Sequence, residues 1–384
     1  MRKWNKSSRK EELDVILRVP DYYEEFSCIA DKCRDSCCIG WEINIDADTH
    51  DYYCNTKGLI GDRLRENIYV SADGEYSFRL KEHGRCPFLN IQNLCDICIE
   101  MGEESLSEVC TEYPRFTLDY GNVFQKCLSL SCEEVGRILF TRETPVTFVE
   151  REQPAMEWEG GTKEYEESYY AFLEVSQKRL IQILQNQNLS IWKRERMYLT
   201  YARQLQQVIR EHVANEPFTR EQLPEIVGME QTTDGEDWLS QSIDSYPIFD
   251  ERFALFEQIE ELDREWGDTK AEVRAYLKQD TYRDACRDYL FSKDYRESDY
   301  EQLLVYFTFR YFMQSVYDYN LLAKAQMAST FTRVVRDMDV ARYVKNDGYF
   351  TREDRVDTAR VFSKEVEHSE ENINFLEEEL EFSE

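Results

Sequence analysis

Eleven of the twelve cysteines stand in the first third of the 384-residue chain: Cys28, Cys33, Cys37, Cys38, Cys54, Cys86, Cys95, Cys98, Cys110, Cys127 and Cys132. Only Cys286 lies beyond them. Ordinary buried thiols would be spread more evenly, so this placement asks for a local cause. The N-terminus, MRKWNKSSRKEELDVILRVP, starts basic but never enters the apolar stretch of about 7 to 15 residues that a secretory signal carries. The expected compartment is therefore the cytoplasm. Disulfides rarely last there, and clustered thiols more often hold metal.

The surroundings of these cysteines agree. From about Asp21 to Phe140 the chain is broken into short pieces by Gly40, Gly58, Gly61, Gly74, Gly84, Pro87, Gly102, Pro114 and Gly121. Such a segment predicts loops, short helices and a few strands; Trp41 to Ile45 alternates as a strand does, and Tyr76 to Leu80 more weakly. A lobe of this kind has a thin core and needs a staple, for which a metal serves. The composition changes between Pro145 and Gly161, which sets a cysteine-rich lobe over residues 1–145 and a second over 146–384.

In the second lobe helical periodicity takes over. Tyr165, Tyr169, Phe172, Leu173, Leu180, Ile183 and Leu184 recur at intervals of three and four. Ser190 suits the N-cap of a following helix with a stripe of Tyr198, Tyr201, Leu205 and Ile209. Further helical regions are expected near Asp250 to Tyr276 and Glu301 to Met338, and Asn215 to Tyr246 reads as a polar excursion. The run Leu303 to Tyr319 is interrupted by Thr308, Arg310, Gln314, Ser315 and Asp318, so it predicts a buried helix rather than a membrane span. The fold class expected is mainly α, with a small irregular α+β cysteine-rich lobe and a helical C-terminal lobe.

The densest signal is Cys28-x4-Cys33-x3-Cys37-Cys38-Ile39-Gly40-Trp41, followed by Cys86-Pro87-Phe88-Leu89, Leu94-Cys95-Asp96-Ile97-Cys98 and Cys110-x2-Tyr113-Pro114-Arg115. Thiolates are soft donors suited to zinc or to iron-sulfur clusters, and four are enough. The candidate ligands are Cys33, Cys37, Cys38, Cys86, Cys95 and Cys110. Cys28, Cys98, Cys127 and Cys132 rank behind them, and Cys54 and Cys286 read as structural. His83, three residues before Cys86, can complete a mixed site, whereas His50, His212 and His368 read as surface or helix residues. Trp41 and Tyr113-Pro114-Arg115 suit either packing over a cluster or plain core and turn roles, and Arg115 also suits a carboxylate.

These same residues carry a resemblance. Cys33 to Trp41, Ile43-x-Ile45-Asp46, Cys86 to Leu89, Leu94-Cys95-x-Ile97, Leu106-Ser107-x-Val109-Cys110-x2-Tyr113-Pro114-Arg115 and Leu130 to Glu134 together resemble the flagellin lysine N-methylases. That family is in turn similar to zinc- or iron-chelating proteins of the Cys-x-x-Cys-x-x-Cys-Cys type. Glu365-Val366-Glu367-His368-Ser369-x2-Asn372 looks like the end of the same family. The resemblance implies methyl transfer from S-adenosylmethionine to lysine amines of flagellin, with a cysteine-bound [4Fe-4S] cluster in the protein.

The chemistry and the residues pull apart at one point. An amine is already a nucleophile, so methylation needs a neutral lysine and no redox centre. The chain has neither a strand followed by Gly-x-Gly-x-x-Gly nor the Cys-x3-Cys-x2-Cys of radical enzymes, because Gly40 stands where the third cysteine would be. That leaves an unrelated donor pocket, expected at the seam between the lobes, an open iron site, or a structural cluster. Two other classes stay open: a non-catalytic zinc or iron scaffold, and an iron-sulfur redox protein. With 77 acidic against 47 basic side chains and a formal charge of -30, the surface disfavours nucleic acid and anionic membranes and suits lysine-bearing protein partners. The 25 tyrosines, which invite a methyl-lysine cage, read mostly as helical core with a polar rim.

Overall fold

The computed structural model describes residues 15–71, 74–153, 165–214, 216–227 and 242–381. Two sheets set its plan. The first strand, β1 (Val15–Pro20), pairs in parallel with β6 (Val123–Leu128), Ile16 opposite Val123, and antiparallel with β7 (Phe148–Gln153); β5 (Arg115–Asp119) closes the far side of β6. Parallel partners cannot be joined by a tight turn. The connection from β1 to β6 is the cysteine-rich segment itself, so the small lobe is the crossover of the larger lobe's sheet.

Inside that crossover, β2 (Asn44–Ile45), β3 (Ile68–Val70) and β4 (Tyr76–Phe78) form an antiparallel sheet in the order β2-β4-β3. Helices α1 (Ala47–Asn55) and α2 (Gly58–Asn67) follow β2, with Asp46 capping α1 by accepting from the Thr49 N–H at 2.9 Å. Short helices α3 (Asp96–Met101) and α4 (Glu108–Glu112) complete the lobe. Its separate core holds Ile43, Ile45, Tyr53, Leu64, Phe78, Cys86, Phe88, Leu89 and Ile97. The Trp41–Ile45 strand is shorter than its alternation suggests, because only Asn44 and Ile45 find ladder partners.

Everything else shares one large core. Helix α5 (Glu133–Thr141) buries Val135, Leu139 and Phe140 in it, although these residues precede the compositional change near Pro145. Pro154, Gly160 and Gly161 of that predicted boundary lie outside the described residues, as do Asn215 and residues 228–241 of the Asn215–Tyr246 excursion. Helices α6 (Glu167–Leu184) and α7 (Ile191–Arg210) bury the stripes read from the sequence except Tyr165, which precedes α6, and Ile209, both half-buried, and Ser190 is the N-cap residue of α7. The region near Asp250 to Tyr276 is two helices, α8 (Tyr246–Phe256) and α9 (Arg264–Tyr276), followed by α10 (Tyr282–Leu290). Of the run Leu303 to Tyr319 expected as one buried helix, the part to Tyr311 lies in buried α11 (Glu297–Tyr311); a 3-10 turn over Phe312–Val316 follows, and Tyr317 and Tyr319 are exposed. Asn320 caps α12 (Leu321–Lys345), which runs through the middle of the lobe.

Helix α12 is buried on almost all sides despite its charges, because those charges are paired. Asp337 accepts from Arg252 at 2.6 Å and from Arg336 at 2.9 Å, while Asp339 accepts from Tyr300 and Thr358 at 2.7 Å and from Arg355. A buried ion is tolerated only when its remaining lone pairs are satisfied in this way. Helices α13 (Arg352–Glu367) and α14 (Glu370–Glu381) end the described chain. The molecule is thus mainly α with a small α+β lobe, and no helix is long and apolar enough to cross a membrane among the described residues.

Candidate functional site

Backbone pairing inside the small lobe draws the cysteine phrases together. The Cys86 N–H donates to the Cys38 carbonyl at 2.8 Å, the Gly40 N–H to Gly84 at 3.2 Å, and the Asp96 N–H to Phe88 at 2.8 Å. Cys38, Cys95 and Cys110 consequently pack against the core that contains Cys86. Gly40 sits at φ +101°, a conformation side chains other than glycine rarely adopt, which explains its place after the double cysteine.

The thiols feel one another. Burial, then the charge of Cys38, pushes the Cys86 thiol up to about 12, with Cys110 and Cys95 adding to it. Burial likewise drives Cys110 up to about 12, against a hydrogen bond from Ser107 and with Cys38 and Cys95 raising it further. Cys37 donates to its neighbour Cys38, which raises the first thiol and lowers the second. Cys98, ranked behind the main candidates, belongs here: it is raised to about 12 by burial and then by Cys95.

Of the six predicted ligands, Cys37, Cys38, Cys86, Cys95 and Cys110 fall in this neighbourhood. Cys33 does not share it; its thiol is raised to about 12 by burial and then by Cys132, with Cys28 also contributing. The reason is local: Arg34 binds Glu133 through its backbone N–H at 2.8 Å and its Nε at 2.9 Å, which docks Cys33 against the start of α5. His83 is exposed in a left-handed turn at φ 61°. Among the described residues, no three cysteine, histidine, aspartate or glutamate side chains stand at metal-ligand spacing.

The thiol lobe meets the helical lobe along α13 and the residues after it. Lys364 reaches Asp35 and Asp263, both at 2.8 Å, and Arg360 reaches Asp35 at 2.7 Å and Glu265 at 2.6 Å. Glu365 accepts the Leu262 and Asp263 N–H groups at 2.7 and 3.1 Å. His368, expected among surface or helix residues, instead stacks on Trp41 with ring centroids 4.2 Å apart, and its Nε2 lies 2.8 Å from the Ser131 hydroxyl. Tyr113 contacts Trp41 at 5.3 Å and reaches Ser131 at 3.1 Å. Trp41 is therefore a seam residue, and Arg115 lies over the Phe26 ring.

Beneath His368 lies a buried polar knot. Glu367 accepts from the Tyr306 and Tyr311 hydroxyls at 3.0 Å and from Ser363, with the Arg310 guanidinium 3.6 Å away. Burial raises the Glu367 carboxyl, and Arg310 works against that rise. The sequence offers no periodic signal for this knot; its mark is the Glu365 to Asn372 phrase.

A separate groove of about 410 Å³ opens at the other end of β6, between β1, β7 and α6. Comparison with known proteins now decides the family. The model of the FliB lysine N-methylase C-terminal domain matches residues 177–384, more than half of the chain.

The chain belongs to the FliB lysine N-methylase family.

Among curated relatives, the lysine-N-methylases of Salmonella typhimurium and Salmonella choleraesuis are each 31% identical over 132 residues, a third of this chain and a third of theirs. The flagellar biosynthetic protein FliU of Salmonella muenchen is 33% identical over 133 residues, covering 33% of this chain and 78% of its own. The match thus spans about a third of the length of the two lysine-N-methylases. No solved structure matches the chain. The FliB match covers α6 to the C-terminus, including α13 and the Glu365–Asn372 phrase that joins the lobes.

Proposed function

We propose that this chain is an S-adenosylmethionine-dependent protein-lysine N-methyltransferase that acts on flagellin and carries a cysteine-ligated [4Fe-4S] cluster in its small lobe. The observation that carries the reading is membership of the FliB lysine N-methylase family. For the metal half the support is that Cys37, Cys38, Cys86, Cys95 and Cys110 share one neighbourhood; among the described residues they do not stand at metal-ligand spacing, so ligation requires their side chains to close in. Buried thiols pushed up to about 12, as Cys86 and Cys110 are, resist ionisation until a cation compensates them. The donor set is sulfur-rich, which fits iron-sulfur or zinc and disfavours hard ions.

On this reading Cys38, Cys86, Cys95 and Cys110 hold the metal, with Cys37 and Cys98 beside them. When bound, the group supplies cross-links between the Cys37–Cys38 turn, the Cys86–Cys98 segment and α4. The transfer itself is a displacement: the lysine nitrogen takes the methyl group, the sulfonium leaves as a neutral thioether, and the amine loses one proton. No electron changes hands, so the thiol lobe has only to hold the scaffold. The acidic surface, at a formal charge of -30, draws lysine-bearing partners towards the protein.

The test is anaerobic purification with iron, zinc and sulfide analysis, then incubation of the protein with flagellin and labelled S-adenosylmethionine. Label on flagellin lysines together with four irons and four sulfides per chain is the expected result. A colourless zinc protein that transfers no label points to the scaffold reading instead.

A further inference from the structure

Two of the three segments that carry the neighbouring thiols are anchored outside the small lobe. In the run Asp35-Ser36-Cys37-Cys38-Ile39-Gly40-Trp41 the cysteines lie in the middle, and both ends are held by the helical lobe. One oxygen of Asp35 accepts from Arg360 at 2.7 Å and from Lys364 at 2.8 Å. These two cations stand about one turn apart on α13, and each side chain is only 4% exposed. At the other end, the Trp41 ring stacks at 17° to the ring of His368, the residue that follows α13. Cys110 is tied down in the same way. Tyr113, on the same short segment, has its ring 5.3 Å from Trp41 and 6.2 Å from His368, and its hydroxyl 3.1 Å from Ser131 ahead of α5.

The third segment differs. Among the described residues, the hydrogen bonds of residues 86–98 stay within the small lobe: the Cys86 N–H donates to the Cys38 carbonyl, and Arg63 donates to Asp96 at 2.6 Å and to the Pro87 carbonyl at 2.7 Å. Thiolates that share one metal must each stand within about 0.2 Å of the proper distance. Strands of two or three residues cannot align three separate segments that closely. The anchors on α13 supply the alignment that the small sheet lacks.

We infer that Asp35 and Trp41 are positioning residues of the thiol site: through them α13 and His368 fix where Cys37, Cys38 and Cys110 stand, and so set how tightly a soft metal is held. The inference rests on the metal reading above. Neither residue supplies sulfur. Asp35 lies just before Cys37 and Trp41 just after Cys38, so each acts on a ligand through the backbone between them. Outer partners of this kind are worth about 10- to 100-fold in metal affinity. The coupling is reciprocal, so bound metal must strengthen the docking on α13 by the same factor.

The test is metal release from the anaerobically purified, metal-containing protein into a coloured chelator of iron and zinc. Asp35→Asn and Trp41→Ala are expected to release metal at least about tenfold faster than the wild type, whereas Trp41→Phe, which keeps a flat ring on His368, should release it at close to the wild-type rate. Leu205→Ala, which opens a cavity under α7, should weaken the fold yet leave release unchanged; release as fast as in Asp35→Asn would reduce the effect to lost stability and overturn the inference. In the unaltered protein, stripping the metal should speed amide hydrogen exchange at Arg360–Glu367 at least about tenfold and leave α7 as it was. Wild-type release from both seam variants, with exchange on α13 indifferent to metal, overturns the positioning role and leaves the metal reading in place. Protein that purifies without metal overturns both.

Discussion

Acid should loosen the seam between the lobes through one residue. His368 is stacked on Trp41, and burial, followed by the positive charges of Arg310 and Lys364, holds its imidazole neutral, down at about 3 against an ordinary 6.5. The folded value is the lower one, so the unfolded chain takes up the proton first. Stability is therefore complete above 6.5 and drains as the pH falls towards 3. With those two values the loss between pH 7 and pH 5 is about 2 kcal/mol, since each tenfold difference in proton affinity is worth about 1.4 kcal/mol. His368→Phe keeps a flat ring against Trp41 and removes the titration. Urea unfolding of both proteins at pH 7 and pH 5, anaerobically, should show the wild type losing about 2 kcal/mol more than the variant over that interval. Equal losses in the two proteins would refute the argument that His368 is kept neutral by its place in the seam.

Three further outcomes follow from the same geometry. Gly40→Ala places a Cβ 2.9 Å from both Asp263 Oδ2 and Lys364 Cε at a φ of +101°, so it should cost about 2 to 3 kcal/mol in a thermal melt; an unchanged melting temperature would show that the turn has slack. Glu367→Leu leaves Arg310 and two tyrosine hydroxyls without their shared acceptor and should cost about 3 to 5 kcal/mol in urea unfolding, far more than an equivalent change at exposed Glu371. Cys38→Ala or Cys86→Ala should abolish bound metal by elemental analysis, whereas Cys54→Ala, exposed beside His50, should retain it; equal metal in all three would remove these thiols from the ligand set.

The helices of the larger lobe are readable in the sequence because their buried residues recur on one face: Tyr169, Phe172, Leu173, Leu180, Ile183 and Leu184 of α6 are all buried. Helix α12 hides its character, since Arg336, Asp337 and Asp339 are charged yet buried, paired with Asp244, Arg252 and Arg355 of other segments. The mixed sheet leaves no local trace. Val15–Pro20 is a six-residue, mostly apolar run, which no local pattern distinguishes from a helix turn, and its partner at Val123 lies across the whole small lobe. The thiol neighbourhood is legible because cysteine spacing is a local signal. That Cys33 docks beside Cys132 depends on the Arg34–Glu133 contact, which spacing does not carry. The seam position of His368 is equally hidden, because a lone histidine at a helix end looks the same whether or not an indole covers it.

The arrangement bears on why a methylase of this family would hold a cluster at all. The thiol lobe has a core of few residues, and its strands are only two or three residues long, so apolar burial alone gives it little rigidity. Yet the lobe is the crossover between two parallel strands of the larger sheet, and any slack in it is passed to β6 and to α13 through Asp35, Lys364, Trp41 and His368. A metal that fastened Cys38 to Cys86, Cys95 and Cys110, as proposed above, would stiffen the crossover and so help to fix the register of β1 against β6.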